Sequence, residues 1–254
     1  MRAMVFAAGL GTRLRPLTND RPKALVAIGG RTLLEIALKR LRSFGVGEAI
    51  MNVHHCADQI VAYLAANRNF GMRIEVSREE DLLDTGGGLK KAAWFFLESG
   101  AGPRAEIDEP FLVHNVDVLS AIDLARMVAV HSEHHALATL AVAARTTSRP
   151  LLFDAEGRLR GRDVTKKGEP APDGPAPAFQ PLAFSGIHVV SPRIFAKLDE
   201  EGAFSIVDAY LRLAVQGESI LGFRADGAYW RDLGRPEHLA EAERDLADGT
   251  YPAS

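Results

Sequence analysis

Residues 2–26 read RAMVFAAGLGTRLRPLTNDRPKALV, and the fold class turns on how this stretch is read. Residues 2–8 are a short apolar run that stops at glycine, the pattern of a buried strand. Gly9 and Gly11 follow, then Arg13 and Arg15. In open parallel sheets, ligands bind beyond the carboxyl ends of the strands. Glycine there lets the chain turn sharply and lets a ligand approach the backbone closely. Successive free N–H groups form an anion cradle, and guanidinium groups suit phosphate oxygens. The stretch therefore points to a polyphosphate. Other readings of the glycines stay open. A dinucleotide fold wants G-x-G-x-x-G, but Leu14 holds the third glycine position. Its second strand should end in an acid for a ribose, but 52–54 are Asn, Val and His. A phosphate loop of the form G-x-x-x-x-G-K-[ST] is absent. A tight turn flanked by surface arginines would need no ligand at all.

Working outward, strand and helix alternate. TLLEIALKRLRSF (32–44) has apolar residues at helical spacing, with Gly45 as a stop. EAIMNV (48–53) reads as a strand, ADQIVAYLAAN (57–67) as a helix, and RIEVS (73–77) as a strand. GGLKKAAWFFLE (87–98) reads as a helix, and PFLVHNVDV (110–118) as a fourth strand. That order predicts an α/β fold. It is a three-layer, Rossmann-like, mixed but mainly parallel sheet with helices on both faces. The second half offers a strand at 137–144, a hairpin over 150–161 turning at 154–157, and a strand at 182–191. Residues 227–249 run from strand to turn to a final helix. Residues 166–181, rich in Pro, Gly and charge, read as a mobile loop. No linker separates two cores. The expectation is one domain over 1–254, with a nucleotide-binding half (1–120) and a sugar-binding half (121–254).

Composition narrows the function. The chain has 254 residues, 47% of them hydrophobic, which suits a soluble globular protein. A net charge of -3 argues against a non-specific nucleic-acid binder. No apolar run reaches the about 18 residues of a membrane span. The first residues pass straight into a strand, with no signal segment. The single Cys56 excludes an internal disulfide and suits a reducing cytoplasm. There is no internal repeat.

The full opening string resembles the sugar nucleotidyltransferase family, which joins a sugar 1-phosphate to a nucleoside triphosphate. The family signature is a glycine-rich turn, then G-T-R-x-x-P-x-T, then P-K-x-L. Here it stands as Gly11-Thr12-Arg13, Pro16, Thr18 and Pro22-Lys23-Ala24-Leu25. The resemblance covers nearly the whole chain. It is greatest to members that use UTP with N-acetylmuramate 1-phosphate, and next to those that use GTP with mannose 1-phosphate. It implies that Ala7, Ala8, Gly9, Gly11 and Thr12 bind the nucleotide. It also implies that Lys23 contacts the phosphates and that Arg13 holds the leaving pyrophosphate.

Four more sites follow the same logic. LLDTGGGLKKA (82–92) places three glycines before a helix, a start suited to an anion or nucleotide. A flexible loop is the plainer account. The family carries a similar T-x-G-x-L turn against base and ribose, which implies that role for Thr85, Gly86, Gly87 and Gly88. The nearby SREED (77–81) could read the base, with no one side chain singled out. VHNVDV (113–118) ends an apolar strand in Asn115 and Asp117. Asp117 could cap the helix that follows. The family equivalent binds Mg²⁺, although His114 and Asn115 stand where a glycine often precedes the aspartate. Asn115 is expected on the sugar side. YWRDLGRPEHL (229–239) carries Asp232 in a W-x-D-x-G pattern, and in the family this acid completes the metal site. FSGIHVVS (184–191) puts Ser185 and Gly186 inside a strand, where glycine often marks close ligand approach. The resemblance implies a sugar contact there, and simple packing is the alternative.

Two further patterns are weaker. His54 and His55, with His131 and His135 on one helix face, could form a zinc site, though a solvated histidine-rich face is commoner. His55 and Gln59 resemble family positions near the nucleotide. The resemblance thus implies an enzyme with Mg²⁺ as cofactor, a nucleoside triphosphate and a sugar 1-phosphate as substrates, and no nucleic-acid or membrane partner. A binding regulator without turnover is the alternative of another class; both candidate metal acids are present, which argues against it. The long C-terminal repeat of bifunctional relatives is missing, so no fused acyltransferase is expected.

Overall fold

A computed structural model describes residues 1–97, 109–163 and 179–251. Strand β1 (Arg2–Phe6) opens the chain, and a short hairpin of β2 (Ala27–Ile28) and β3 (Arg31–Thr32) leads into α1 (Leu33–Ser43). Thr32 caps that helix, its hydroxyl accepting from Glu35 N at 3.0 Å. Then come β4 (Glu48–Val53), α2 (Ala57–Ala66), β5 (Arg73–Arg78), α3 (Asp84–Lys91) and α4 (Ala93–Leu97). After these come β6 (Phe111–Asn115), β7 (Val118–Ser120), α5 (Leu124–Glu133) and β8 (Ala138–Ala143). The remainder is β9 (Leu151–Phe153), β10 (Leu159–Arg162), β11 (Gln180–Val190), α6 (Ile206–Val215), β12 (Ile220–Arg224), β13 (Trp230–Asp232) and α7 (Pro236–Ala247).

The main sheet runs β10-β9-β11-β6-β1-β4-β5, with β8 also paired to β11 and β12 to β8. Strand β1 lies parallel to β4 and β6, and β4 parallel to β5. The long β11 runs antiparallel to β6, β8 and β9 and so joins the two halves of the chain in one sheet. Period-two alternation buries both faces. Ala3, Val5, Met51 and Val53 meet Leu34, Leu38, Leu41, Ile60, Leu64 and Met127 of α1, α2 and α5. Met4, Phe6 and Ile50 meet Leu89, Phe96, Ile206, Tyr210 and Leu213 of α3, α4 and α6. A third cluster packs Leu239 and Ala242 of α7 on Leu14, Ile28 and Leu33, behind the N-terminal turn.

The alternating fold expected from the sequence is the one observed. Two elements differ in detail. The helix expected over 87–98 begins at Asp84 and is interrupted at Ala92, and the strand expected over 110–118 breaks after Asn115. Most of the Pro-rich stretch, residues 166–178, lies outside the described residues; 179–181 lead into and begin β11. No helix among the described residues is long and apolar enough to cross a membrane.

Three core histidines make acid stability a test of this packing. His131 sits between the hydroxyls of Thr139 and Ser191, both at 3.0 Å, and His188 bonds Tyr210 Oη at 2.8 Å. Burial lowers His114 and His131 to about 4 and His188 to about 3. The unfolded chain therefore binds more protons once the pH drops below about 6.5. Stability should be flat above that pH and fall towards pH 4, each histidine contributing up to about 1.4 kcal/mol per pH unit. Urea midpoints at pH 7.5, 6 and 4.5 check this; a flat profile would contradict neutral burial.

Candidate active site

Strand β1 delivers the glycine turn to the sheet's carboxyl edge. Ala7 N donates to Asn52 Oδ1 at 2.9 Å, which fixes where the turn starts. Gly11 has φ +62°, and a Cβ there would lie 3.0 Å from Thr18 Cγ2 and 3.1 Å from Lys23 Cβ. Thr18 closes the loop by donating to Gly11 O at 2.8 Å. Only glycine combines that backbone with that closeness. Ala7, Ala8, Gly9, Gly11, Thr12, Arg13 and Lys23 all line one cavity of about 510 Å³. Lys23 starts from Pro22, whose φ is -70°, and its ammonium pairs with the Asp117 carboxylate.

Asp117 and Asp232 come from opposite halves of the chain and meet through a two-stranded ribbon. Val116 N donates to Phe6 O at 3.1 Å, carrying the chain past the sheet edge. Strand β7 then pairs antiparallel with β13, placing Asp232 opposite Val118. Leu233 N donates to Asp117 O at 2.8 Å and extends the ribbon by one step. Asp232 Oδ1 accepts from Gly234 N at 2.7 Å. A Cβ on Gly234 would fall 2.7 Å from Arg13 Nη2, so the C-terminal turn touches the N-terminal one. Among the described residues, Asp117 Oδ1 and Asp232 Oδ2 have no hydrogen-bond partner. Two free carboxylate oxygens facing a phosphate-sized cleft suit a hard dication that takes its other ligands from phosphate and water. No group of three or more His, Cys, Asp or Glu side chains placed to hold a metal occurs among the described residues.

The first cavity's far end is polar and buried. Glu79 is 5% exposed; it accepts from Asn52 Nδ2 at 2.8 Å and from Leu83 N at 3.1 Å. Within SREED it is Glu79 that joins the cavity wall. Thr85 lines the cavity too, but its Oγ1 accepts from Ile206 N at 3.0 Å. Gly86, Gly87 and Gly88 are not brought to that wall. They lie inside α3, where Gly86 N donates to Phe204 O at 2.8 Å instead of facing a ligand. Their service is close approach. A Cβ on Gly87 would lie 2.4 Å from Gly202 O, and one on Gly88 would lie 2.7 Å from both Asn52 Nδ2 and Glu79 Oε1. Gly87→Ala should therefore destabilise by about 1–3 kcal/mol, because backbone must move. Thermal melting checks this; a more stable variant would refute the contact.

A second cavity, of about 700 Å³, adjoins the first at Arg13, Asn115 and Asp117. Asp232, Ser185 and Gly186 line it. The ladder of β11 against β8 shifts register between Phe184 and His188, and Gly186 has φ +72°. A Cβ there would lie 2.8 Å from Asn115 Nδ2. This bulge frees two carbonyls from the ladder. Ser185 O accepts from Trp230 Nε1 at 2.7 Å, and Phe184 O from Arg145 Nη2 at 3.2 Å. Ser185 Oγ is also bonded to Arg145 Nη2, at 2.9 Å, so that hydroxyl is already engaged. Burial pushes the Arg145 guanidinium below its ordinary value, opposed by the carboxylates of Asp232 and Asp226. Sequence reasoning passed over Arg145, which stands in a polar stretch with no motif around it.

The histidines divide. His131 is a core residue, while His54 Nδ1 lies 2.9 Å from Glu79 O and His55 Nε2 lies 3.2 Å from Cys56 Sγ. Gln59 donates to Asp20 O at 2.8 Å.

A doubly covered sheet with a glycine turn, a lysine and two acids at its carboxyl edge defines a nucleotide-handling α/β enzyme. The nucleotidyl transferase family profile matches residues 2–249, and the chain belongs to that family. It is a sugar-1-phosphate nucleotidyltransferase by class. It is 36% identical to N-acetylmuramate alpha-1-phosphate uridylyltransferase of Caulobacter vibrioides, covering 97% of each chain. It is 27% identical to mannose-1-phosphate guanylyltransferase of Mycobacterium tuberculosis, across 99% of this chain and 66% of that one. It is 28% identical to UTP–glucose-1-phosphate uridylyltransferase of Synechocystis, of which it spans 63%. Among solved structures, UDP-glucose pyrophosphorylase complexed with UDP-glucose superposes with a TM-score of 0.74 at 20% identity, covering 98% of both chains. HddC from Yersinia pseudotuberculosis complexed with GMP-PN gives 0.71 at 22%, covering 96% and 99%. At those identities the superpositions speak for the fold alone.

Proposed function

We propose that the enzyme transfers a uridylyl group from UTP to N-acetylmuramate 1-phosphate, releasing pyrophosphate. The observation that supports the site is the β7–β13 ribbon, which sets Asp117 beside Asp232 at the junction of two cavities. The choice of UTP and of that sugar rests on the 36% identity to the uridylyltransferase, matched over 97% of both chains.

In this reading the first cavity takes the triphosphate and the second the sugar 1-phosphate. An ionised oxygen of the sugar phosphate attacks the α-phosphorus. A new P–O bond forms, the bond to the bridging oxygen breaks, and its electrons leave with pyrophosphate. The substrate carries its own nucleophile, so no side chain needs to act as base. The barrier is repulsion between two anions plus charge growing on the leaving group. Lys23 and Arg13 meet that charge, and the N–H groups of Gly9–Thr12 fix the phosphate tail in line. Asp117 and Asp232 would hold Mg²⁺ through their free oxygens; when bound, the ion supplies further charge neutralisation on the phosphates. Asn115 and the Gly186 bulge shape the sugar side. The single free Cys56 fits a reducing cytoplasm.

Crossing UTP, GTP, dTTP and CTP with N-acetylmuramate, N-acetylglucosamine and mannose 1-phosphates, with and without Mg²⁺, tests the reading by pyrophosphate release. The largest kcat/KM is expected for UTP with N-acetylmuramate 1-phosphate, and none with EDTA. A preference for GTP with mannose 1-phosphate would replace this substrate pair, and turnover in EDTA would remove the metal role.

A further inference from the structure

Arg145 has no part in the mechanism above, yet its side chain is fixed in the second cavity by hydrogen bonds and a ring contact. Beyond β8 the chain turns tightly: Ala144 N donates to Asp226 Oδ1 at 2.6 Å, and Arg145 N donates back to Ala143 O at 2.9 Å. That turn sends the side chain across the β11 bulge. Its guanidinium lies over the Trp230 ring, 3.4 Å from the centroid. Nη2 is fixed by Ser185 Oγ and Phe184 O, and Trp230 is itself locked by Ser185 O. Nε is buried without a hydrogen-bond partner. Nη1 has no hydrogen bond among the described residues, and Arg145 has no ion pair there.

Its neighbours differ. Arg231 lines the same cavity but is bound to Asp245 and Glu241, and Arg235 lies 3.7 Å from Glu237. Arg13 on the same wall is exposed, so among the described residues lining this cavity Arg145 is the partly buried cation with unmet donors. A planar guanidinium held flat by a ring on one face and pinned through Nη2 is pre-organised to aim its free Nη1 at an anionic oxygen. A cation–ring contact stabilises its position without consuming its donors.

We propose that Arg145 is a substrate-binding residue whose Nη1 takes an anionic oxygen of the sugar substrate, from either its 1-phosphate or a carboxylate on the sugar. This rests on the reading of the second cavity as the sugar-phosphate site. The test uses Arg145→Gln and Arg145→Lys with UTP and two sugars. N-acetylmuramate 1-phosphate carries both anions, and N-acetylglucosamine 1-phosphate carries only the phosphate. The KM for sugar should rise about 10- to 100-fold in Arg145→Gln, with the KM for UTP and the melting temperature little changed. Arg145→Lys keeps the charge but loses the planar stack on Trp230 and the Nη2 bonds that aim it, and should fall short of the parent enzyme. A rise for both sugars assigns the 1-phosphate; a rise for the muramate alone assigns the carboxylate. An unchanged sugar KM with both substrates, or an equal rise in the KM for UTP, overturns the proposal. Calorimetric titration of each sugar phosphate into the parent and both variants keeps the test independent of turnover. If the parent releases no pyrophosphate from any pair, the reaction fails; if it binds the sugar phosphates and the variants bind them equally well, Arg145 fails.

Discussion

Asp117→Asn should lower kcat/KM for pyrophosphate formation by about 10³-fold or more while leaving the chain folded. The substitution keeps the size of the side chain and the backbone bond from Leu233 N, so the ribbon that carries Asp117 survives. What disappears is one negative charge at the junction of the two cavities. Its first effect falls on Lys23, which is 8% exposed and loses its counter-ion. Breaking a buried pair this way costs about 3–5 kcal/mol, and here about 1–3 kcal/mol, because the Asp117 side chain is 22% exposed and water reaches it. Melting curves measure that part. Rates taken well below the transition measure the rest, which is the loss of transition-state stabilisation. Asp232→Asn should show a drop of similar size, and the double variant should be far from additive, since the two oxygens act as a unit. Activity of either single variant within tenfold of the parent would remove the acids from the chemistry.

Lys23→Ala should cost about 10²- to 10³-fold in kcat, with a smaller rise in the KM for the triphosphate. The ammonium is a point charge on a stem whose base is fixed by Pro22 and packed against Gly11. It can serve the ground state only weakly, because Asp117 already neutralises it. Its larger effect comes when phosphate charge moves toward the leaving group. Lys23→Arg should rescue little, since a longer planar fork does not place a compact point charge where the ammonium meets Asp117. The equilibrium constant is independent of the enzyme, so the reverse reaction, from nucleotide sugar and pyrophosphate, must fall by the same factor in kcat/KM. A variant that loses binding of the triphosphate but keeps kcat would place Lys23 in ground-state binding only.

Much of this could be read from residues. Strands β1, β4 and β5 and helices α1 and α2 fall within two residues of their expected bounds, because each alternates or repeats cleanly and ends at a glycine or a polar break, whereas the two-residue strands β2 and β3 are too short to show a period. Arg13, Lys23, Asp117 and Asp232 stand out in the sequence by their motifs, and the fold gathers all four around two adjoining cavities. The failures have physical causes. The helix reads as starting only at Gly87, with a loop as the plainer account of the glycines, because glycine weakens helices. Here tertiary packing overrides propensity: Phe204, Gly202, Asn52 and Glu79 leave no room for a Cβ. Arg145 was invisible because its partners, Ser185 and Trp230, arrive from distant strands. Helix α6 was passed over although Ile206, Ala209, Tyr210 and Leu213 form an apolar stripe at helical spacing.

The ribbon that joins residues 118–120 to 230–232 has a consequence for how the enzyme comes into being. During synthesis, the glycine turn, Lys23 and Asp117 emerge from the ribosome long before Asp232. Until then a nascent chain holds the residues of the proposed phosphate cradle but not its second acid. A product that ends before residue 230 lacks Asp232 and helix α7, and on the proposed mechanism it should release no pyrophosphate. Titrating pyrophosphate release against stepwise C-terminal truncations should show a first loss when α7 goes, since Leu239 and Ala242 pack behind the N-terminal turn, and none left once Asp232 is removed.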